Sequence, residues 1–275
     1  MSYSVPPVGR IEVELTSACQ LFCKYCPLTV EQDYRGHHLA FDRFIAILEQ
    51  VESATVRDTY FSLNGFGEFF IYPYYKNVTD ELARRRRSFT FHTNGIDMDV
   101  DYLSDLVSDS PDDDPITVTV KCGRVYREEE AVENCIELIA KRPKSKIQFQ
   151  SLYGRNERLV KACEEAGIEA TQIIVDNWAG YFEFSPSNLP DLGCERFFPS
   201  SQISITVMGE VSVCCKDFRA ERGRLGNIYT NTLLDIIHGS EYQEWLESAV
   251  AHRLEDRALC KGCFRAWYTE GVAKL

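Results

Sequence analysis

The sequence predicts an α/β protein in which parallel strands and crossover helices form one sheet, open or curled into a barrel, followed by a small C-terminal module. Two observations lead to this prediction. Strand and helix patterns alternate from residue 11 to about residue 175, and repeated strand–helix units place parallel strands side by side. Beyond residue 175 the alternation stops and cysteines recur instead. We therefore divide the chain into a domain at 1–178 and a linker with a second module at 179–275.

The alternating part contains six predicted strands joined by predicted helices. The strands are expected at 11–15, 59–63, 88–91, 116–120, 146–150 and 173–175. The helices are expected at 41–51, 74–87, 100–108, 128–141 and 157–166. Segments of unusual composition follow the first four strands. Because α/β proteins carry their chemistry at the carboxyl ends of the strands, these segments predict one shared site.

Composition sets limits on partners and compartment. Of the 275 residues, 44% are hydrophobic and 12% aromatic, which is enough for a packed core. The net charge of −12 disfavours nucleic acid, because phosphate binding needs a basic face. No apolar run approaches the roughly 20 residues of a membrane span, and the first residues lack a signal-peptide pattern. Eleven cysteines in such a chain favour metal ligation in a reducing, cytoplasmic environment. Cys135 and Cys163 lie on apolar helix faces and are predicted to be core residues.

Three cysteines follow the first predicted strand within one short loop. Cys19, Cys23 and Cys26 have the spacing CxxxCxxC. A 4Fe–4S cube needs a ligand at each iron, so three thiolates leave one iron open for a ligand that is not protein. A structural zinc site is the alternative, and it would need a fourth ligand from elsewhere in the chain.

This loop, with Tyr25 directly before the last cysteine, resembles the motif of the radical S-adenosylmethionine (SAM) superfamily. The resemblance implies a partial (β/α)6 barrel, a 4Fe–4S cluster on Cys19, Cys23 and Cys26, and SAM bound at the open iron with Tyr25 against its adenine. It also implies that the reduced cluster cleaves SAM to a 5′-deoxyadenosyl radical, which abstracts a hydrogen from the substrate. The expected partner is an external one-electron reductant such as flavodoxin or ferredoxin.

Two further segments resemble SAM-binding parts of that family. Gly65-Phe-Gly-Glu68 is similar to the Gly-Gly-Glu segment that holds the SAM amino group, although Phe69 stands where a proline often follows. His92-Thr-Asn-Gly95 is similar to the Thr-Asn-Gly that shapes the SAM pocket. Either segment alone could be an ordinary turn. The resemblance predicts the following SAM contacts: Gly65, Gly67, Glu68, Thr93 and Asn94.

Candidate substrate residues lie at two later strand ends. Lys121 ends the fourth strand and is expected to point inward, toward substrate or the SAM carboxylate. Cys122 could return a hydrogen atom in an epimerisation, and a half-buried bystander thiol is the alternative reading. Asp176, Asn177 and Trp178 follow the sixth strand and are candidate substrate contacts, unless the segment is a linker with aromatic anchors.

The C-terminal module combines a hairpin, a helix that Asn231 is predicted to cap, and a CxxC pair. The hairpin is expected at 203–207 and 211–213. A CxxC with two distant cysteines forms a four-ligand set in a region too small for its own core, where a metal would add stability. Zinc is one option. The layout resembles the twitch module, a shortened SPASM domain that binds one auxiliary 4Fe–4S cluster. The resemblance predicts the ligands Cys194, Cys214, Cys260 and Cys263, with Cys215 as the rival of Cys214.

The length and cysteine layout are similar to those of twitch enzymes that oxidise an alcohol. This resemblance implies oxidation of a secondary alcohol of an amino sugar or aminocyclitol in natural-product biosynthesis, such as that of an antibiotic, with the auxiliary cluster accepting the electron. Three alternatives stay open. One is a redox-neutral epimerase with Cys122 or Cys215 as hydrogen donor. Another is a peptide-modifying enzyme, although a first strand near residue 11 leaves no obvious leader-peptide domain. The last is a non-catalytic iron–sulfur or zinc module.

Overall fold

A computed structural model describes residues 8–24, 26–54, 59–109, 117–123, 126–141, 147–152, 156–168, 170–173, 201–251, 253–261 and 263. The strands are β1 Val8–Val13, β2 Tyr60–Leu63, β3 Phe89–Thr93, β4 Thr117–Gly123, β5 Ile147–Leu152, β6 Ala170–Ile173, β7 Ser201–Ile205, β8 Glu210–Ser212 and β9 Arg224–Asn227. The α-helices are α1 Pro27–Val30, α2 Phe41–Ala54, α3 Tyr75–Arg84, α4 Val100–Asp109, α5 Glu128–Lys141, α6 Glu157–Ala166, α7 Leu233–His238, α8 Ser240–Val250 and α9 Ala258–Lys261.

The described strands form one sheet in the order β6-β5-β4-β3-β2-β1-β7-β8-β9. The first six strands are parallel neighbours in chain order. Because successive right-handed crossovers then run in one direction, their helices gather on one face of the sheet. The opposite face is left for a site. The predicted parallel α/β sheet is confirmed.

The two faces of the sheet differ in chemistry although both are buried. On the helix side, Ile11, Phe61 and Phe89 are register neighbours and are fully buried. One residue further along each strand, Glu12 and Ser62 are register partners on the other side. We call this side the polar face. Its buried members are Glu12, Ser62, Thr90, Gln150, Gln202 and Ser204.

The C-terminal hairpin continues this sheet. β7 pairs in parallel with β1, with Ile203 beside Ile11, and β8 returns antiparallel to β7. The pairing has a physical reason, since β1 would otherwise present an open edge of unpaired backbone groups. The hairpin prediction is confirmed, and the hairpin extends the strands of the first domain. The division at 178/179 stays a prediction.

The cap of the C-terminal helical segment differs from the prediction. Thr232, and not Asn231, is the N-cap of α7, and its side chain accepts a hydrogen bond of 3.1 Å from the Asp235 amide. The Asp235 carboxylate accepts in return from the Thr232 amide at 3.3 Å. This capping box needs an acidic residue three positions after the cap, which Thr232 has. Asn231 accepts from the Asn227 amide instead.

The remaining sequence expectations concern burial. Cys135 on α5 and Cys163 on α6 are fully buried, so the prediction that both are core residues is confirmed. In the part of the chain that the structure describes, no helix combines the length and apolar character needed to cross a membrane.

Candidate active site

The three N-terminal cysteines lie on the cysteine loop, residues 14–26, between the carboxyl end of β1 and Pro27 of α1. All three are free, half-buried and packed against the core. The Cys26 amide donates to the Cys23 carbonyl at 3.0 Å, and Thr29 Oγ1 donates to the same carbonyl at 2.8 Å. The loop is therefore closed by its own backbone and by the first turn of α1.

The surroundings of these thiols oppose a negative charge unless a cation is bound. Burial raises the pKa of Cys19 to about 12 and that of Cys26 to about 11, and it also raises the pKa of Cys23. Repulsion from Glu68, Cys26 and Cys23 raises the pKa of Cys19 further. The thiolate is the metal-binding form of cysteine. A positively charged iron–sulfur core would supply the compensation that three buried thiolates require.

The donor set fits an iron–sulfur cube. Each iron of a cube takes a separate thiolate, so three thiols spread along one loop can serve three irons. Among the described residues, no group of three or more His, Cys, Asp or Glu side chains already surrounds a single metal position. Cys19, Cys23 and Cys26 would hold the N-terminal cluster.

The segment after β2 packs directly against the start of the cysteine loop. A Cβ on Gly67 would overlap the Thr16 carbonyl oxygen and lie 2.8 Å from the Ala18 oxygen. The next residue, Glu68, donates its amide to the same Ala18 oxygen at 2.8 Å. A Cβ on Gly65 would overlap the Glu14 side chain. Both glycines are thus required by close approach of other atoms. Their contacts with SAM stay predictions.

Glu68 joins the ends of β2 and β3 beneath the cysteine loop. Its buried carboxylate accepts from Thr93 Oγ1 at 2.6 Å, from the Asn94 amide at 2.7 Å and from the Phe70 amide at 3.3 Å. Burial raises the pKa of Glu68 to about 7. Asn94 Nδ2 in turn lies 3.9 Å from Cys19 Sγ. The structure therefore brings these predicted SAM contacts together beside Cys19. A carboxylate has about four acceptor positions, so one stays available for an ammonium group.

Phe69, which occupies the position of the expected proline, has a packing role. It opens a short 3₁₀ helix, Phe69–Ile71, and its ring stacks on Phe91 with centroids 3.8 Å apart. The Phe69 ring therefore packs against β3.

Sequence reasoning missed Glu14 as a functional residue. It is buried at the end of β1 and accepts hydrogen bonds from Tyr34 Oη, from the Phe66 amide at 3.1 Å and from the Val207 amide at 3.0 Å. Burial raises its pKa. Glu14 thus connects the cysteine loop with the segments after β2 and β7. The signal was a repeated glutamate in a strand of a parallel sheet, where both faces are covered.

Two cavities are each lined by a residue that lies against Glu14: Gly65 in the smaller cavity and Tyr34 in the larger. The smaller, about 30 Å³, lies among the carboxyl ends of β1, β2 and β3 and touches Thr16, Gly67 and His92. The larger, about 300 Å³, is lined in part by Tyr34, Thr206 and Arg219. Only the smaller one borders the predicted SAM contacts. Its size is that of a water site, well below the 300 to 1,000 Å³ typical of ligand pockets.

Two further predicted residues belong to the fourth strand of the sheet. Lys121 and Cys122 lie in β4, in register with Gln150 and Ser151 of β5, and their roles stay predictions. The predicted residues outside the described part of the chain are Tyr25, Asp176, Asn177, Trp178 and Cys194.

The C-terminal cysteines come from separate segments that pack together. Cys214 follows β8, and Cys260 lies in α9 just before Cys263. A Cβ on Gly223 would lie 2.8 Å from Leu259 Cδ2 and 2.8 Å from Val213 Cγ2. The turn after β8 therefore lies against α9, which places the Cys214 segment beside the CxxC pair. Cys214, Cys260 and Cys263 are half-buried, as is the rival Cys215.

Comparisons with known proteins agree with this arrangement. Residues 194–264 match the model of SPASM, an iron–sulfur cluster-binding domain. An S-adenosyl-L-methionine-dependent 2-deoxy-scyllo-inosamine dehydrogenase from Niallia circulans is 22% identical over 93% of this chain and 92% of its own length. The crystal structure of BtrN in complex with AdoMet and 2-DOIA superposes with a TM-score of 0.63 at 19% identity, covering 93% of this chain and 92% of BtrN.

A second solved structure belongs to a protein crystallised with a peptide. Streptococcus suis SuiB bound to precursor peptide SuiA superposes with a TM-score of 0.64 at 14% identity, covering 96% of this chain and 72% of SuiB. The chain therefore has the fold of BtrN and SuiB, with a C-terminal segment that matches the SPASM model, and the predicted fold class is confirmed. The predicted resemblance to a SAM-dependent aminocyclitol dehydrogenase is confirmed as well, and it agrees with the expectation of a radical SAM oxidoreductase.

Proposed function

We propose that this chain is a radical SAM oxidoreductase that takes a hydrogen atom from a polar small molecule, oxidising a secondary alcohol of an amino sugar or aminocyclitol in natural-product biosynthesis. The observation that supports this substrate class best is the polar face of the sheet. The similarity to a dehydrogenase named for an inosamine points the same way.

The polar face carries charge and hydrogen-bonding groups that are costly to bury without a purpose. Glu12 is only 5% exposed. Arg10 Nη2 and Asn64 Nδ2 both donate to Ser62 Oγ, at 2.8 and 2.5 Å. Within the described residues, Arg10 Nε, Asn64 Oδ1 and Gln150 Oε1 are buried and have no hydrogen-bond partner. Buried polar atoms are nearly always paired. A ligand rich in hydroxyl and amino groups would pair them.

The cysteine loop stands at the carboxyl end of the same strands, so a substrate on the polar face would lie below the N-terminal site. Cys19, Cys23 and Cys26 would hold the SAM-binding cluster there. With SAM bound and the cluster reduced by a partner such as flavodoxin or ferredoxin, this site would supply a 5′-deoxyadenosyl radical. The burial of the polar face would shield the substrate from water.

The second cysteine site suits an oxidation. A carbinol that has lost one hydrogen atom must lose one proton and one electron more to become a ketone. An iron–sulfur cluster ligated by Cys194, Cys214, Cys260 and Cys263 is a one-electron acceptor, and its potential is set by its protein surroundings. This fully ligated site would receive that electron.

A peptide substrate is the second candidate. SuiB, whose fold matches 96% of this chain, was crystallised with its precursor peptide, and that observation is the basis for this candidate. The same likeness is at 14% identity and carries the fold alone. A small-molecule substrate is supported in addition by the similarity to the inosamine dehydrogenase, which covers 92% of that enzyme.

The test uses anaerobically reconstituted full-length protein with SAM, a reductant and a panel of aminocyclitols and amino sugars deuterated at the carbinol carbons. We expect deuterium to move into 5′-deoxyadenosine, with one ketone formed per SAM cleaved. A variant with Cys19, Cys23 and Cys26 all changed to Ala should lose both products, and Cys135→Ala should keep them. Bound zinc without iron would overturn the proposal. So would return of a solvent hydrogen to the same carbon, which indicates epimerisation, or turnover of peptides alone.

A further inference from the structure

The Arg35 side chain binds backbone carbonyls of the cysteine loop. It follows the 3₁₀ helix Gln32–Tyr34, and its side chain turns back over the loop. Nη2 donates to the Leu21 carbonyl at 2.7 Å and also to the Cys19 carbonyl. The guanidinium carbon lies 4.0 Å from the centroid of the exposed Phe22 ring. One cation therefore fixes the stretch that separates the first two cysteines.

The charge of Arg35 lies against the backbone of the first cysteine, because its Nη2 binds the Cys19 carbonyl. Among the described residues, no carboxylate forms an ion pair with Arg35, and its buried Nη1 has no hydrogen-bond partner. The neighbouring Arg219 contrasts with it, since it pairs with Asp33 at 2.5 Å and with Glu31 at 3.5 Å.

A simple structural brace would need none of this charge. Lysine could hold one carbonyl, and glutamine is shorter and uncharged. Arginine combines a nitrogen that donates to both carbonyls, a planar face that stacks on Phe22 and a permanent positive charge. The potential of an iron–sulfur cluster depends on nearby charge and on its hydrogen bonds. Reduction adds negative charge to the cluster, so an adjacent cation stabilises the reduced form.

We infer that Arg35 is the positioning residue of the N-terminal cluster site, which holds the cysteine loop in its ligating conformation and makes the bound cluster easier to reduce. This inference rests on the proposed function, because it requires a cluster on Cys19, Cys23 and Cys26. It assigns to Arg35 no contact with SAM or substrate.

The experiment compares the full-length wild type with Arg35→Gln and Arg35→Lys. Arg43→Gln is the matched control, because that guanidinium also lies over an aromatic ring, 4.6 Å from the centroid of Tyr229, but on α2. One readout uses cluster-free protein: the alkylation rate of the peptide that carries the three cysteines, followed by mass spectrometry. The other is a potentiometric titration of the electron paramagnetic resonance signal that changes when SAM is added.

Both Arg35 variants should be alkylated several-fold faster than wild type, because neither side chain holds both carbonyls while it stacks on the Phe22 ring. Arg35→Gln should shift the reduction equilibrium about tenfold toward the oxidised cluster, which is about 59 mV for one electron. Arg35→Lys should keep most of the wild-type potential, and Arg43→Gln should change neither readout. An unchanged potential in Arg35→Gln, or unchanged alkylation in both variants, would overturn the inference. A wild type without a SAM-responsive cluster would instead remove the proposed function itself.

Discussion

The two cysteine regions of this molecule are built in opposite ways. The N-terminal thiols lie within one loop, and neighbouring segments brace that loop through Gly67, Glu68 and Arg35. The described C-terminal thiols come from separate segments, after β8 and around α9. A site with contiguous ligands can leave a coordination position open for a cofactor. A site that gathers distant segments is closed by protein and contributes to folding when its metal binds.

The largest expected effect comes from removing one thiol of each region. Cys23→Ala should lose the iron of the N-terminal cluster and all SAM cleavage, because the remaining two thiolates cannot hold a cube with an open iron. Cys260→Ala should lose the auxiliary cluster and ketone formation while still cleaving SAM. Iron analysis and quantification of 5′-deoxyadenosine and ketone measure the difference.

Cys163→Ala is the control, since that thiol is buried in the core away from both regions. The comparison between the regions fails if Cys260→Ala stops SAM cleavage as completely as Cys23→Ala does. It also fails if either variant keeps the full iron content.

Two glycines provide a smaller and graded contrast. A Cβ on Gly67 would overlap backbone atoms of Thr16 and Ala18, which cannot rotate away. A Cβ on Gly223 would meet side-chain atoms instead, those of Leu259, Val213 and Ser212. Gly67→Ala should therefore lower the free energy of unfolding by about 3 kcal/mol or more, and Gly223→Ala by about 1 kcal/mol. Urea unfolding of cluster-free protein measures both values.

Gly36→Ala tests the alternative that any glycine substitution is harmful, because a Cβ there meets no atom within 4 Å, although its φ of +91° adds local strain. If neighbouring segments brace the cysteine loop, Gly67→Ala must lower the free energy of unfolding more than Gly223→Ala and Gly36→Ala do. An equal cost at Gly223 would mean that the C-terminal segments are packed as rigidly as the cysteine loop.

The sequence predicted the parallel sheet and both cysteine regions because those signals are local. The hydrophobic period of the sequence placed α5 and α6 at their observed bounds. Four site residues lie outside the described part of the chain and stay predictions: Tyr25, Asp176, Asn177 and Trp178. Long-range pairing was not readable. The alternation in β7 specifies a strand but does not specify β1 as its partner. The role of Arg35 depends on backbone carbonyls, which every residue carries, so no sequence pattern marks it.

The last prediction concerns pH and Glu68 in cluster-free protein. The pKa of Glu68 is raised to about 7 in the folded state from 4.5. Below pH 4.5 the carboxyl is protonated in both states, and its stabilising contribution is complete. As the pH rises through 7, the folded state must ionise a buried group, so that contribution is lost. Between pH 5 and pH 7 the loss should be about 2 kcal/mol.

Glu68→Gln cannot titrate, so its free energy of unfolding should vary with pH by about 2 kcal/mol less than that of wild type over this range. Urea unfolding at several pH values measures the difference. The wild-type curve also contains the buried Glu14, but that contribution is present in both proteins and cancels when the curves are subtracted. Glu49→Gln on the exposed side of α2 is the matched control and should follow wild type. Parallel curves for wild type and Glu68→Gln would show that Glu68 is ionised throughout. The cysteine loop would then be braced by a charged carboxylate at every pH tested.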